Sequence, residues 1–105
     1  MPDAEYASTV RADGTATIQF TPTKSKPWLL QQISTEYAQS PSGATAELRK
    51  NGSLITVMLP SDVADSAPPV PVAPGDRIEV NWFGGTPGQP VSCYIIYTEV
   101  DWAQI

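Results

Sequence analysis

The sequence predicts an all-β domain, an antiparallel β-sandwich of jelly-roll or Greek-key type with about seven or eight short strands. Three observations lead there. Short segments alternate apolar and polar residues with period two, as in Ala16, Ile18 and Phe20 against Thr15, Thr17, Gln19 and Thr21. Eleven prolines and seven glycines in 105 residues punctuate the chain too often for long helices. Pro60 to Pro74 forms a long prolyl connection between pairs of alternating segments, which suits a crossover better than a meander. A barrel is the nearest alternative. The length fits one domain spanning 1–105, with 101–105 as a C-terminal tail.

Tyr6 to Ala12 alternates weakly, and Asp13-Gly14 supplies a tight turn of the hairpin kind before Thr15 to Thr21. Pro22 to Pro27 reads as a polar loop. Trp28 to Ala38 begins with three large apolar residues, then sets Ile33, Thr35 and Tyr37 against Gln32, Ser34 and Glu36. The change of phase near Leu30-Gln31 predicts a bulge, or a strand passing between two sheets. Ala44 to Lys50 and Ser53 to Leu59 flank Asn51-Gly52. Both residues tolerate the positive φ of a type I′ turn, so this is the strongest hairpin signal in the chain.

The prolines of the next stretch, Pro68, Pro69, Pro71 and Pro74, cannot donate to a ladder. They predict an extended edge segment packed through Val70 and Val72. Arg77 to Phe83 then places Ile78, Val80 and Trp82 on one face. Across a Gly/Pro loop, Val91 to Val100 completes what reads as a second antiparallel hairpin.

Composition narrows the function classes. Net charge is −5, and the six basic residues are scattered, so no basic stripe can displace counterions from a nucleic acid. Binding to an anionic membrane is disfavoured on the same grounds. The chain contains no histidine, which excludes Ser-His-Asp and Cys-His catalysis and histidine-ligated zinc. Cys93 is a lone cysteine in a predicted strand and reads as a small buried hydrophobe.

Glu79 and Glu99 could in principle pair for glycoside hydrolysis, but alternation puts Glu79 on the wet face. Asp62 and Asp65 lack the ligand density of a calcium loop. Gly84 to Gly88 lacks the Gly-Lys-Ser/Thr of a phosphate loop, and a strand follows it. No catalytic residue, metal site or cofactor is therefore expected. The acidic N-terminus does not read as a secretory signal, so folding in a cytoplasm is the expectation.

The segment Pro74-Gly75-Asp76-Arg77-Ile78-Glu79-Val80-Asn81-Trp82-Phe83-Gly84-Gly85-Thr86-Pro87-Gly88, followed by an alternating strand, resembles small virion proteins of tailed bacteriophages. Asp13 to Ile18 and Trp28 to Ser34 extend the resemblance to about half of the chain. It implies a jelly-roll subunit with a structural role: a capsid decoration (cement) protein, or a tail-associated subunit. Its implied partners are the major capsid protein or tail subunits and further copies of itself, often as a trimer, located in the virion. It implies no catalytic residues.

Two sets of residues follow as candidates. For a subunit interface they are Tyr6, Val70, Val72, Trp102 and Ile105, because aromatic and apolar side chains in tails and loops often anchor neighbours. Trp102 either docks the tail on its own domain or anchors a neighbouring subunit. For the alternative of a carbohydrate-binding module, Trp28, Trp82 and Tyr94 would supply the stacking rings.

Overall fold

In the computed structural model, residues 3–39 and 41–104 are described, with the side chains of 64–68 and 104 excepted. Eight strands run through them: β1 Asp3–Thr9, β2 Ala16–Phe20, β3 Trp28–Glu36, β4 Thr45–Lys50, β5 Ser53–Met58, β6 Asp62–Val72, β7 Ile78–Phe83 and β8 Pro90–Glu99. A short 3₁₀ turn, Trp102–Gln104, follows. One sheet has the order β1-β8-β3-β6 and the other β2-β7-β4-β5, and every pairing is antiparallel. This is a jelly-roll sandwich: β4 pairs with β5, β3 with β6, β2 with β7 and β1 with β8. The chain behaves as one long hairpin, doubled on itself and wound into two layers.

The innermost turn is Asn51-Gly52, with φ of 51° and 85°, as a type I′ turn requires. Its side chain also ties the turn to the β6–β7 connection. Asn51 Nδ2 donates to Asp76 Oδ1 at 3.0 Å, and Asn51 Oδ1 accepts from the Arg77 amide at 2.8 Å. Lys50 donates to the Pro71 carbonyl at 2.6 Å and lies 3.6 Å from Asp76.

The predicted irregularity near Leu30-Gln31 is a β-bulge. Registers to both neighbours of β3 shift between Leu30 and Gln32. The extra residue re-phases the strand, so that Trp28, Leu30, Ile33 and Thr35 all face inward. The core between the sheets contains these with Ala16, Ile18, Phe20, Ala46, Leu48, Met58, Val72, Ile78, Val80, Trp82, Val91, Cys93 and Ile95. The prolyl stretch forms edge strand β6, in keeping with its missing amide donors.

The second predicted hairpin is corrected. β7 lies in one sheet, between β2 and β4, while β8 lies in the other, between β1 and β3. The Asp13-Gly14 turn likewise joins strands of different sheets, β1 and β2. Alternation reports only which residues face the core, and a strand pair reads the same whether its members hydrogen-bond or cross between layers.

The two crossing connections run side by side and bond to each other. Val10 and Gln89 are linked amide to carbonyl at 2.9 Å, Gly88 donates to Val10 at 2.9 Å, and Gly85 donates to Gly14 at 2.8 Å. A Cβ at Gly85 would lie 3.1 Å from Val10 Cγ1, 3.2 Å from the Gly14 carbonyl and 3.2 Å from the Tyr37 hydroxyl. Tyr37 is itself buried, and its hydroxyl accepts the Thr86 amide at 2.8 Å.

Gly85→Ala is expected to destabilise the fold more than Gly52→Ala. The first forces overpacking, at about 1–3 kcal/mol. The second strains only an open turn, at about 1 kcal/mol. Urea unfolding of the two variants checks the order.

Asp76 carries a pH prediction. The Asn51 hydrogen bond first, then the Ala73 amide and Lys50, hold its carboxyl below the ordinary 3.8. A carboxylate lowered on folding contributes stability that is complete above the unfolded value and is lost as pH falls through the folded one. Acid titration of stability below pH 3.8 is therefore expected to be shallower in Asp76→Asn than in the parent.

Candidate functional site

A two-layer sandwich has two open sides, and the strand orders put β1 and β2 on one, β5 and β6 on the other. The β1/β2 side is closed by packing. Tyr6 stacks on Phe20 across the layers with ring centroids 4.9 Å apart and planes 4° from parallel. Along β1 the outward positions are Asp3, Glu5, Ala7 and Thr9, two of them carboxylates.

The β5/β6 side is different. Leu54, Ile55, Val57, Leu59 and Val63 are all exposed there, Val57 at 65% and Leu59 at 67%. From Ser53 to Leu59 the chain carries no charge, no proline and no glycine. A second register shift explains part of this exposure. Leu48 pairs with Thr56 but Arg49 pairs with Leu54, so Ile55 is an extra residue with no partner on β4. Met58 turns inward to the core, while Val57 sits outward opposite Glu47.

The connection after β5 is held firmly against the fold. Trp82 Nε1 donates to the Pro60 carbonyl at 3.0 Å, and the Tyr37 amide donates to Ser61 Oγ at 2.8 Å. Thr35 Oγ1 accepts the Asp62 amide at 3.0 Å, and Asp62 accepts the amides of Leu59 and Val63 at 3.3 and 2.8 Å. The apolar residues are thus presented from a fixed frame.

The outer face of the β2-β7-β4-β5 sheet is mainly polar, with Phe83 of β7 the exposed apolar residue on it before that edge is reached. Thr17 donates to Asn81 at 2.8 Å, Asn81 to Glu47 at 3.5 Å, and Arg49 to Glu47 at 2.6 Å. The Arg49 guanidinium holds the Glu47 carboxyl below its usual range. These ladders pair their own charges within the face. The apolar strip begins where they stop.

The residues expected at an interface fare unequally. Tyr6 is half-buried in its stack on Phe20, and burial pushes its hydroxyl pKa up. Val70 is half-buried against the core. Val72 is corrected: it is 0% exposed, because the bulged register of β3 turns it between the sheets opposite Trp28. Trp102 is 56% exposed, yet its Nε1 donates to the Ser25 carbonyl at 3.1 Å, so the tail does dock on its own domain. Ile105 lies outside the described residues.

Two of the three expected stacking rings are corrected as well. Trp82 lies in the core at 0% exposure. Trp28, at 1%, stacks on Tyr97 with centroids 3.9 Å apart. Both follow the inward phase of their strands, so neither presents a ring face to a sugar. Tyr94 is partly exposed on the outer face of β8, and its hydroxyl donates to Asp3.

Glu79 and Glu99 sit on different sheets, one against Arg77 at 2.7 Å and the other against Lys24 at 3.8 Å. Among the described residues no group of three or more His, Cys, Asp or Glu side chains converges as a metal site would require. Cys93 is buried, and burial pushes its thiol pKa up to about 12.

The β5 edge was the residue set that alternation missed. In the sequence, Ser53 to Leu59 reads as one more half-buried strand. The available signal was the unbroken absence of charge, proline and glycine over the segment, which is unusual for a strand at a sheet edge.

The fold and this edge define the chain as a jelly-roll sandwich with an apolar edge strand, β5. No family model matches it, and no curated protein matches it. Among solved structures it is similar to the crystal structure of FLHE, at 10% identity and a TM-score of 0.49, covering 90% of this chain and 96% of that one. It is also similar to part of dimeric latent PorU from Porphyromonas gingivalis, at 12% identity and a TM-score of 0.37, covering 94% of this chain and 13% of that one.

The buried thiol yields a direct check. Cys93 is expected to resist a disulfide reagent at pH 8 in the native protein and to react promptly in urea, since only the thiolate attacks. Equal rates in the two conditions would mean that the β8 position is open to solvent.

Proposed function

We propose that the protein is a structural subunit of a bacteriophage virion, a decoration protein that stabilises the assembled head by binding neighbouring subunits. The observation that carries this reading is the exposure of four apolar residues close together in sequence, Leu54, Ile55, Val57 and Leu59, on and just after edge strand β5 of an acidic domain. Large apolar side chains left exposed together on an edge strand favour a protein contact. The resemblance of Pro74 to Gly88 and of the Asp13 and Trp28 segments to phage virion proteins supplies the assembly, and a jelly-roll fold is at home there.

A subunit of this kind acts by linkage. It binds the assembled shell and not the free capsid subunit, so each occupied site favours the shell by about 2.7 kcal/mol when the free protein stands at 100 times its Kd. No reaction is required of it. The expected partners are the major capsid protein, or tail subunits in the alternative placement.

Mass spectrometry of purified particles of the phage that encodes this chain tests the reading. The chain is expected in the particles at a fixed ratio to the major capsid protein. Heads and tails separated before analysis then distinguish decoration of the head from association with the tail. Absence from purified particles would end the proposal.

A further inference from the structure

We propose that Asn51-Gly52 is a deamidation site guarded by the fold: it reacts when the β4–β5 hairpin opens and, once changed, cannot be refastened at full strength. The inference rests on the turn alone and holds whatever the chain assembles with.

The reaction needs only these two residues and water. The Gly52 amide nitrogen attacks Asn51 Cγ, the Cγ–Nδ2 bond breaks, and ammonia leaves with the proton that Gly52 gives up. Water then opens the cyclic imide at either carbonyl, which leaves aspartate or isoaspartate and returns a proton to the Gly52 nitrogen. Glycine in second place favours the attack, because no side chain shields its nitrogen. A Cβ at Gly52 would meet nothing within 4 Å, and both turn residues are exposed, so water has free access.

The native turn opposes the first step. Attack requires the Asn51 side chain to swing toward the following peptide, and the structure fastens it elsewhere. Nδ2, the leaving group, donates to Asp76 Oδ1 at 3.0 Å, and Oδ1 accepts the Arg77 amide at 2.8 Å. The Asn51 amide donates in turn to the Arg77 carbonyl at 2.8 Å, closing a ring of bonds between the turn and the β6–β7 connection. Arg49 Nη1 holds the turn from its own strand by donating to the Gly52 carbonyl at 2.8 Å. The clamp is released when the hairpin tip leaves Asp76 and Arg77, so the native rate follows the population of the open state.

The product fits badly. Aspartate at 51 replaces a donor with a second carboxylate oxygen facing Asp76 Oδ1, so a hydrogen bond is lost and like charges meet. Lys50, 3.6 Å from Asp76, offsets one of those charges but not both. Isoaspartate adds a carbon to the backbone of a two-residue turn and displaces its I′ geometry. A chain that has opened and reacted therefore refolds to a weaker state, a one-way loss that makes its operational stability a rate.

Peptide mass spectrometry at mildly alkaline pH tests the protection. Asn51 is expected to convert at least tenfold faster in urea than in the native protein. Asp76→Ala, which removes the contact to the leaving group, should speed conversion in the folded domain, with circular dichroism showing that the sheets persist. Asn81, followed by Trp82 within β7, is the internal control and should stay unchanged in all samples. Equal rates at Asn51 in native buffer and in urea would overturn the proposal.

Urea unfolding tests the consequence. Asn51→Asp should lower the unfolding midpoint, and adding Asp76→Asn should restore most of the loss, since the pair then regains a donor on its other side. Asn51→Asp as stable as the parent, or a double variant no better than Asn51→Asp alone, would also overturn the proposal, because the clamp would then not distinguish amide from acid.

Discussion

The structure depends on how the chain is doubled back at Asn51-Gly52. Once β4 and β5 are paired through that turn, the remaining strands pair outward in order, β3 with β6, β2 with β7 and β1 with β8. Each pair closes a longer loop than the one inside it, and loop-closure entropy rises only slowly with length. The turn fixes the first pairs, Lys50 with Ser53 and Arg49 with Leu54, and the bulges in β5 and β3 reset the register beyond them. Asn51 does more than permit positive φ: its amide side chain fastens the tip of the hairpin to Asp76 and Arg77, beside the start of β7. The innermost turn and the third pair of strands are thereby fixed to each other directly.

A doubled hairpin must still fold into two layers, and the bend occurs where the β1–β2 and β7–β8 connections cross. That corner is a backbone contact with almost no side chains in it. Gly14 and Gly85 approach closely enough for a direct amide-to-carbonyl bond, and Val10 and Tyr37 fill the space around them. Tyr37 also follows directly on the end of β3 and bonds through its amide to Ser61 in the β5–β6 connection. One buried tyrosine so links the corner at one side of the sandwich to the frame that presents the apolar edge.

Much of this was legible in the residues. The strands lie close to where period-two alternation puts them. The I′ turn at Asn51-Gly52 and the bulge at Leu30-Gln32 follow from local chemistry that needs no knowledge of the partner strand. What alternation could not supply was pairing. Ile78, Val80 and Trp82 face the core in either arrangement, so a crossing between sheets looked like a hairpin. Trp28 and Trp82 as stacking rings, and Val72 as an interface residue, failed for a related reason. Large apolar residues in phase with a core belong to it unless something breaks the phase. Trp102, outside any strand, escaped that rule and is exposed, although it also holds the tail to Ser25.

The β5 edge turns on a difference between strands that alternation does not weigh. A central strand can be wholly apolar because neighbours cover both of its edges; an edge strand with the same composition leaves a template for pairing. β1 and β6 in this molecule carry carboxylates and prolines, which shows that the chain has the means to protect an edge. A bulge can serve the same end by twisting a strand away from partners, but the bulge in β5 leaves Ile55 exposed at 39% beside Val57. Nor does the connection relax to hide Leu59, since Trp82, Thr35 and Tyr37 hold its backbone in place. Leu54, Ile55, Val57 and Leu59 stay exposed on and beside an edge strand that carries neither carboxylate nor proline, which is better explained as a surface kept for a partner than as a defect in packing.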